Sequence, residues 1–127
     1  MAMLINFTVP FCAGKQRPRF AKGHAYKTHD EILHEGAIAL AFDEAGGSAA
    51  PKSVPVDVRI TATKAHDKRV NEPFVEKPDA DNIAKLVLDA LNGRAWHDDS
   101  QIVNLDVVKA NHTNNVDRIS VEIEWSD

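Results

Sequence analysis

A single cysteine stands in the 127 residues. Cys12 therefore has no partner for an intrachain disulfide, and one chain cannot build a thiolate metal cluster. The apolar runs are far shorter than a membrane span. Met1 to Pro10 alternates as a strand does and lacks the basic start and long apolar core of a signal peptide, so a reducing, cytoplasmic setting is expected. No G-x-G-x-x-G and no Walker A sequence occurs, which leaves nucleotide-cofactor binding without support. His24, His29, His34, His66, His97 and His112 repeat no zinc spacing. Ser100 lacks a nucleophile-elbow context and Cys12 has no evident base, so covalent catalysis is not expected.

A second absence is local. Residues 1–29 contain no Asp or Glu, while Lys15, Arg17, Arg19, Lys22 and Lys27 give them a charge of +5. The rest of the chain carries −9, for a net charge of −4. A basic pole of this kind can draw a polyanion to one side of a protein whose total charge is negative; a solvated basic loop is the plainer account.

The length suits one domain, residues 1–127, with a single core. Leu4 to Val9 reads as a strand and residues 10–28 as a long loop punctuated by Gly14, Pro18 and Gly23. Thr28 and Glu31 have capping-box spacing and open a helix to about Glu44, with Leu33, Ala37, Leu40 and Ala41 expected to face inward. Val54 to Thr63 alternates as a strand with one buried face, and residues 64–78 form a long polar loop. A second helix over about Asp79 to Asn92 ends at Gly93; its inward stripe is Ile83, Leu86, Val87, Ala90 and Leu91. Two final strands, around Val103–Val107 and Ile119–Trp125, flank a turn-prone segment and predict a β-hairpin. The order β-α-β-α-β-β describes an α/β (α+β) domain with a mixed sheet of about four strands and two main helices.

The chemistry lies in the acids. Asp79 and Asp81 open the second helix, and Asp98 and Asp99 lead into the next strand. A helix start and a strand start can converge at one sheet edge, bringing three or four carboxylates to one ion. All-oxygen sites of this type select hard cations such as Mg²⁺ or Mn²⁺, which neutralise phosphate charge and activate water. Lys85, four residues after Asp81, is placed to stabilise developing charge. Helix capping and surface ion pairs offer another account of the same residues.

Lys77-Pro78-Asp79-Ala80-Asp81-Asn82, Lys85, and Trp96-His97-Asp98-Asp99-Ser100-Gln101 together resemble the RusA family of Holliday junction resolvases. Gly14-Lys15-Gln16-Arg17-Pro18-Arg19, Gly23, Tyr26 and Lys109 are similar to other positions of that family, and the resemblance spans about residues 3–125. It implies a RusA-like fold and a homodimeric, Mg²⁺- or Mn²⁺-dependent endonuclease that resolves four-way DNA junctions by paired nicks in recombination and repair. A phage or prophage origin accords with it. By the same resemblance Asp79, Asp81 and Asp99 are catalytic metal ligands and Lys85 is catalytic. Asp98 is a further candidate ligand that also reads as a turn residue. Lys15, Arg17, Arg19, Lys22, Lys27, Lys68, Arg69, Lys77 and Lys109 are candidate DNA contacts, with no membrane or nucleotide cofactor involved. A branched-DNA-binding module without cleavage, or a nuclease for other branched DNA, are the alternatives.

Overall fold

The computed structural model describes residues 2–16, 19–21 and 23–127, with residues 19–21 described by their backbone alone. Strand β1 (Ala2–Val9) is followed by a small hairpin, β2 (Arg19–Ala21) and β3 (His24–Tyr26), within the segment expected to be loop. Then come α1 (His29–Glu44), β4 (Val56–Thr63), α2 (Ala80–Leu91), β5 (Ile102–Lys109) and β6 (Arg118–Ser126). The expected mixed four-stranded sheet and two main helices are present. No helix of the described residues is long and apolar enough to cross a membrane.

The sheet order is β1-β6-β4-β5. β6 runs antiparallel to both β1 and β4, and β4 runs parallel to β5. Alternation explains the two faces. Val56, Val58, Ile60 and Ala62 point into the core with Ile119, Val121 and Ile123 of β6. On the opposite face, Arg59 hydrogen-bonds Glu122 and Glu124. The helices cover the apolar face, α1 against β1 and α2 against β5, and pack on each other. A single apolar face calls for a single helical layer.

The predicted hairpin of the last two strands does not form, because β4 lies between β5 and β6. Its apolar residues are at most 1% exposed, and such a strand is best covered by neighbours on both sides. The polar segment 110–117 therefore crosses the end of β4 instead of turning tightly. It is docked there on the 64–78 loop: His66 N donates to Thr113 O, Asn71 N to His112 O, and His112 N to Glu72 O.

Helix α1 also departs from expectation. Its N-cap is as predicted, with the Thr28 side chain accepting from Glu31 N. Its buried residues are Glu31, Ile38 and Phe42; of the expected inward set Ala41 packs against the core and Ala37 is half-buried, while Leu33 and Leu40 are 56% and 58% exposed. Apolar residues occur all around this helix, so periodicity does not select a face; the sheet does. Helix α2 has a clear stripe, and Ile83, Leu86, Val87 and Leu91 are buried as expected. Ile38→Ala should accordingly cost about 2–5 kcal/mol through the cavity it leaves. Leu40→Gln should stay within about 0.5 kcal/mol. Urea unfolding of the two variants checks the assignment, and equal losses would contradict it.

Candidate active site

Helix α2 is the crossover between parallel strands β4 and β5, so its two ends lie at opposite ends of the strands. Its N-terminus sits at the carboxyl ends of the strands. There Lys64 Nζ donates to Lys77 O at 2.8 Å and Lys109 Nζ to Glu76 O at 2.7 Å. Lys15 N donates to Asn82 O at 2.7 Å, which fastens the loop after β1 to the same place. A recess of about 340 Å³ opens here, lined by Gly14, Lys15, Lys64, Lys77, Asp79 and Asn82.

Asp79 occupies the N-cap position of α2 with extended backbone, yet its side chain makes no cap hydrogen bond. Its carboxylate instead accepts from Lys77 Nζ at 3.0 Å and is about half exposed. Capping therefore does not account for this aspartate. Asp81 and Lys85 lie one turn apart on the solvent side of α2, 4.0 Å from each other and 69% and 63% exposed. An ion pair so open to water holds little energy, which leaves both groups available.

The other half of the acidic motif lies at the opposite end. Ala50 N donates to Ala95 O, and the buried Gln101 donates Nε2 to Pro51 O and Val54 O, just ahead of β4. Gln101 Oε1 accepts from His97 N and Asp98 N, so one side chain organises the whole turn. Asp98 is exposed and its Oδ2 accepts from Ser100 Oγ at 3.0 Å. Asp99 is half-buried and its Oδ1 accepts from Trp96 Nε1 at 2.7 Å.

Within one chain, then, the helix start and the strand start do not converge. The 12 residues of α2 at about 1.5 Å each separate the two by roughly 18 Å. Among the described residues no group of three His, Cys, Asp or Glu is placed to hold a metal ion. The expectation of convergence fails because a helix joining parallel strands must begin where the first strand ends and finish where the second begins.

The basic residues fall into distinct environments. Lys15 Nζ lies 2.7 Å from Asp89 and within 3.7 Å of both Glu31 and Glu35, so it bridges α1 and α2. Burial opposes its charge, but the Asp89 hydrogen bond and the two glutamates raise its pKa on balance. Lys27 pairs with Glu35 at 2.7 Å. Lys109 sits 4.1 Å from the centre of the Phe74 ring as well as bonding Glu76 O. Lys68 and Arg69 are exposed on the 64–78 loop, Arg69 3.5 Å from Glu72. Arg17 and Lys22 lie outside the described residues, and Arg19 is described by its backbone in β2.

Sequence reading missed the group that anchors this end. His112 is buried, its Nδ1 bonded to Lys64 O and its Nε2 to Glu76 Oε1, each at 2.8 Å. A histidine in a polar, turn-prone stretch carries no local mark of such a role. The Glu76 backbone N–H, with His112 and the Val75 N–H, holds the Glu76 carboxyl down from 4.5 to about 2. Burial pushes the Cys12 thiol up to about 11, so it is protonated and unreactive at neutral pH.

Because its folded pKa is depressed, Glu76 contributes stability above the ordinary carboxylate range that is lost as pH falls toward 2. Glu76→Gln should flatten the fall in urea midpoint between pH 4.5 and 2, and an unchanged slope would refute the anchoring role. A Cβ at Gly14 would meet Pro78 Cβ at 2.9 Å and Asn82 Cβ at 3.0 Å. Gly14→Ala should therefore push the loop off α2, costing about 1–3 kcal/mol and speeding amide exchange at Lys15. Retention of wild-type exchange there would show that the loop absorbs the methyl group.

Among individually curated proteins none matches this chain. The family model described as endodeoxyribonuclease RusA matches residues 10–124, which takes in the basic loop, both acidic motifs, β4, β5 and most of β6, and leaves out β1. With nearly its whole length matched, the chain belongs to the RusA endodeoxyribonuclease family.

Proposed function

We propose that this chain is a Mg²⁺- or Mn²⁺-dependent resolvase of four-way (Holliday) DNA junctions, acting as a homodimer that nicks strands in pairs. The observation that carries the reading is Asp79, a carboxylate at a helix start that does not cap the helix, with Asp81 and Lys85 uncommitted beside it. Asp79, Asp81 and Asp99 form an all-oxygen donor set suited to a hard divalent cation, with Asp98 a supporting residue already bonded to Ser100. Such a cation supplies Lewis acidity toward the phosphate and activates water for attack on phosphorus. Lys85 neutralises the charge that builds on the phosphate oxygens. The N-terminal dipole of α2 favours a phosphate at the same place.

Since one chain holds the two halves of the donor set apart, a second copy has to join them. Strand β5 is the sheet edge next to α2 and exposes Val103, Leu105 and Val108. Two β5 strands paired antiparallel about Leu105 would set Val103 against Val107, Ile102 against Val108 and Asn104 against Asp106. Apolar residues then meet apolar ones and the polar pair hydrogen-bonds. This pairing brings the Asp99 turn of each copy to the carboxyl end of β5 in the other, where Asp79 and Asp81 open α2. Two symmetric sites result, one for each strand to be cut. The exposed cations Lys68, Arg69 and Lys77, with Arg17, Arg19, Lys22 and Lys27 on the basic segment, hold DNA through its phosphates. Lys15 and Lys109 serve chiefly by bracing the loops.

Asp81→Asn and Asp99→Asn homodimers should each bind a synthetic four-way junction with Mg²⁺ and fail to cut it. Co-expressed, the two variants should regain nicking of one strand, because one of the two shared sites then contains only native ligands. Mixed dimers that bind but never nick would overturn the shared site. Wild-type cutting by either homodimer would overturn the ligand assignment, and a linear duplex cut equally well would overturn junction specificity. Arg17→Ala should lower the salt slope of junction binding by about one; an unchanged slope would remove this segment from the DNA surface.

A further inference from the structure

The wholly buried Trp96 raises a question that the acidic motif alone does not. A buried indole N–H needs an acceptor, and this one donates to Asp99 Oδ1 at 2.7 Å. Trp125, by contrast, has a buried Nε1 with no hydrogen-bond partner among the described residues. The fold can therefore bury a tryptophan without supplying its indole with an acceptor.

Asp99 is held on its core side. Its ring partner belongs to the hydrophobic core. The turn that carries it is held by Gln101 to His97 N and Asp98 N, and to the carbonyls of Pro51 and Val54. An indole can only donate, and a donor to a carboxylate makes a strong, directional bond. With Oδ1 already accepting from the buried indole, Oδ2 is the oxygen with more freedom to meet a ligand.

We propose that Trp96 is a positioning residue for Asp99: its indole holds Oδ1 and so fixes how Asp99 would present Oδ2 to a divalent cation. This rests on the reading of Asp99 as a metal ligand. One-oxygen ligation suits Mg²⁺ and Mn²⁺, which keep several waters and tolerate little departure from octahedral geometry. Outer hydrogen bonds of this kind set ligand orientation, and losing one weakens metal affinity about 10- to 100-fold. The indole in turn becomes a reporter, since a cation on Oδ2 draws electron density from Oδ1.

Two measurements on the full chain test this. Mn²⁺ binding in the presence of a four-way junction, followed by electron paramagnetic resonance of the free ion, should weaken about tenfold or more in Trp96→Phe and stay unchanged in Trp125→Phe. In a ¹⁵N spectrum the Trp96 indole signal, assigned as the one retained in Trp125→Phe, should shift as Mg²⁺ is added while the Trp125 signal does not. The second measurement needs only Trp125→Phe and wild type, so it keeps the proposal open to refutation if Trp96→Phe fails to fold. A Trp96 signal that stays still through saturation, or wild-type Mn²⁺ affinity in folded Trp96→Phe, overturns the proposal. If Asp99→Asn then still loses Mn²⁺ binding, the reading of Asp99 survives and only the role of Trp96 falls. If wild type binds no Mn²⁺ even with a junction present, both fall.

Discussion

Parallel pairing of β4 with β5 is the constraint from which the rest of this molecule follows. Two parallel strands cannot be joined by a tight turn, so a crossover helix must carry the chain back along the sheet. That helix is α2, and its length sets the distance between Asp79 and Asp81 at one end and Asp99 at the other. The same pairing leaves β5 as an edge with apolar side chains exposed, beside the helix that bears half of the acidic motif. A fold that parts the carboxylates thus also leaves beside α2 the exposed apolar edge on which the proposed second copy would pair.

The carboxyl end of the strands owes its shape to lysines used as struts. Lys64 and Lys109 donate to the carbonyls of Lys77 and Glu76, and His112 closes the bracket from beneath. Lys15 does the same across α1, α2 and the basic loop. These three lysines are thus committed to acceptors within the chain. Of the acids behind the net charge of −4, Glu122 and Glu124 pair with Arg59 on the face of the sheet away from the helices.

Much of the fold was legible from local pattern. The extents of α1, β4, α2 and β6 fell close to the predicted bounds, since capping residues, alternation and the α2 stripe act between near neighbours. The β2–β3 hairpin was missed because three-residue strands carry too little periodicity to rise above a loop. The inward face of α1 was legible only in part because Ile32, Leu33, Ile38 and Leu40 surround the helix, and packing against β1 and α2 decides which of them is buried. The hairpin expected of β5 and β6 failed for a similar reason: adjacency in the chain favoured it, but β4 offered each strand a more buried neighbour.

The sequence by itself determined the chemical vocabulary: two acidic motifs, a lysine one helical turn from Asp81, a basic segment free of acids, and the family to which the chain belongs. These are properties of residue type and short spacing, which survive without knowledge of what packs on what. Tertiary structure alone decided where that vocabulary is placed. It put the two acidic motifs at opposite ends of α2, freed Asp79 from capping, turned Lys15 and Lys109 inward, and set the Trp96 indole on Asp99. Each of these depends on which strand lies beside which, a choice made by contacts tens of residues apart, and no local pattern encodes it.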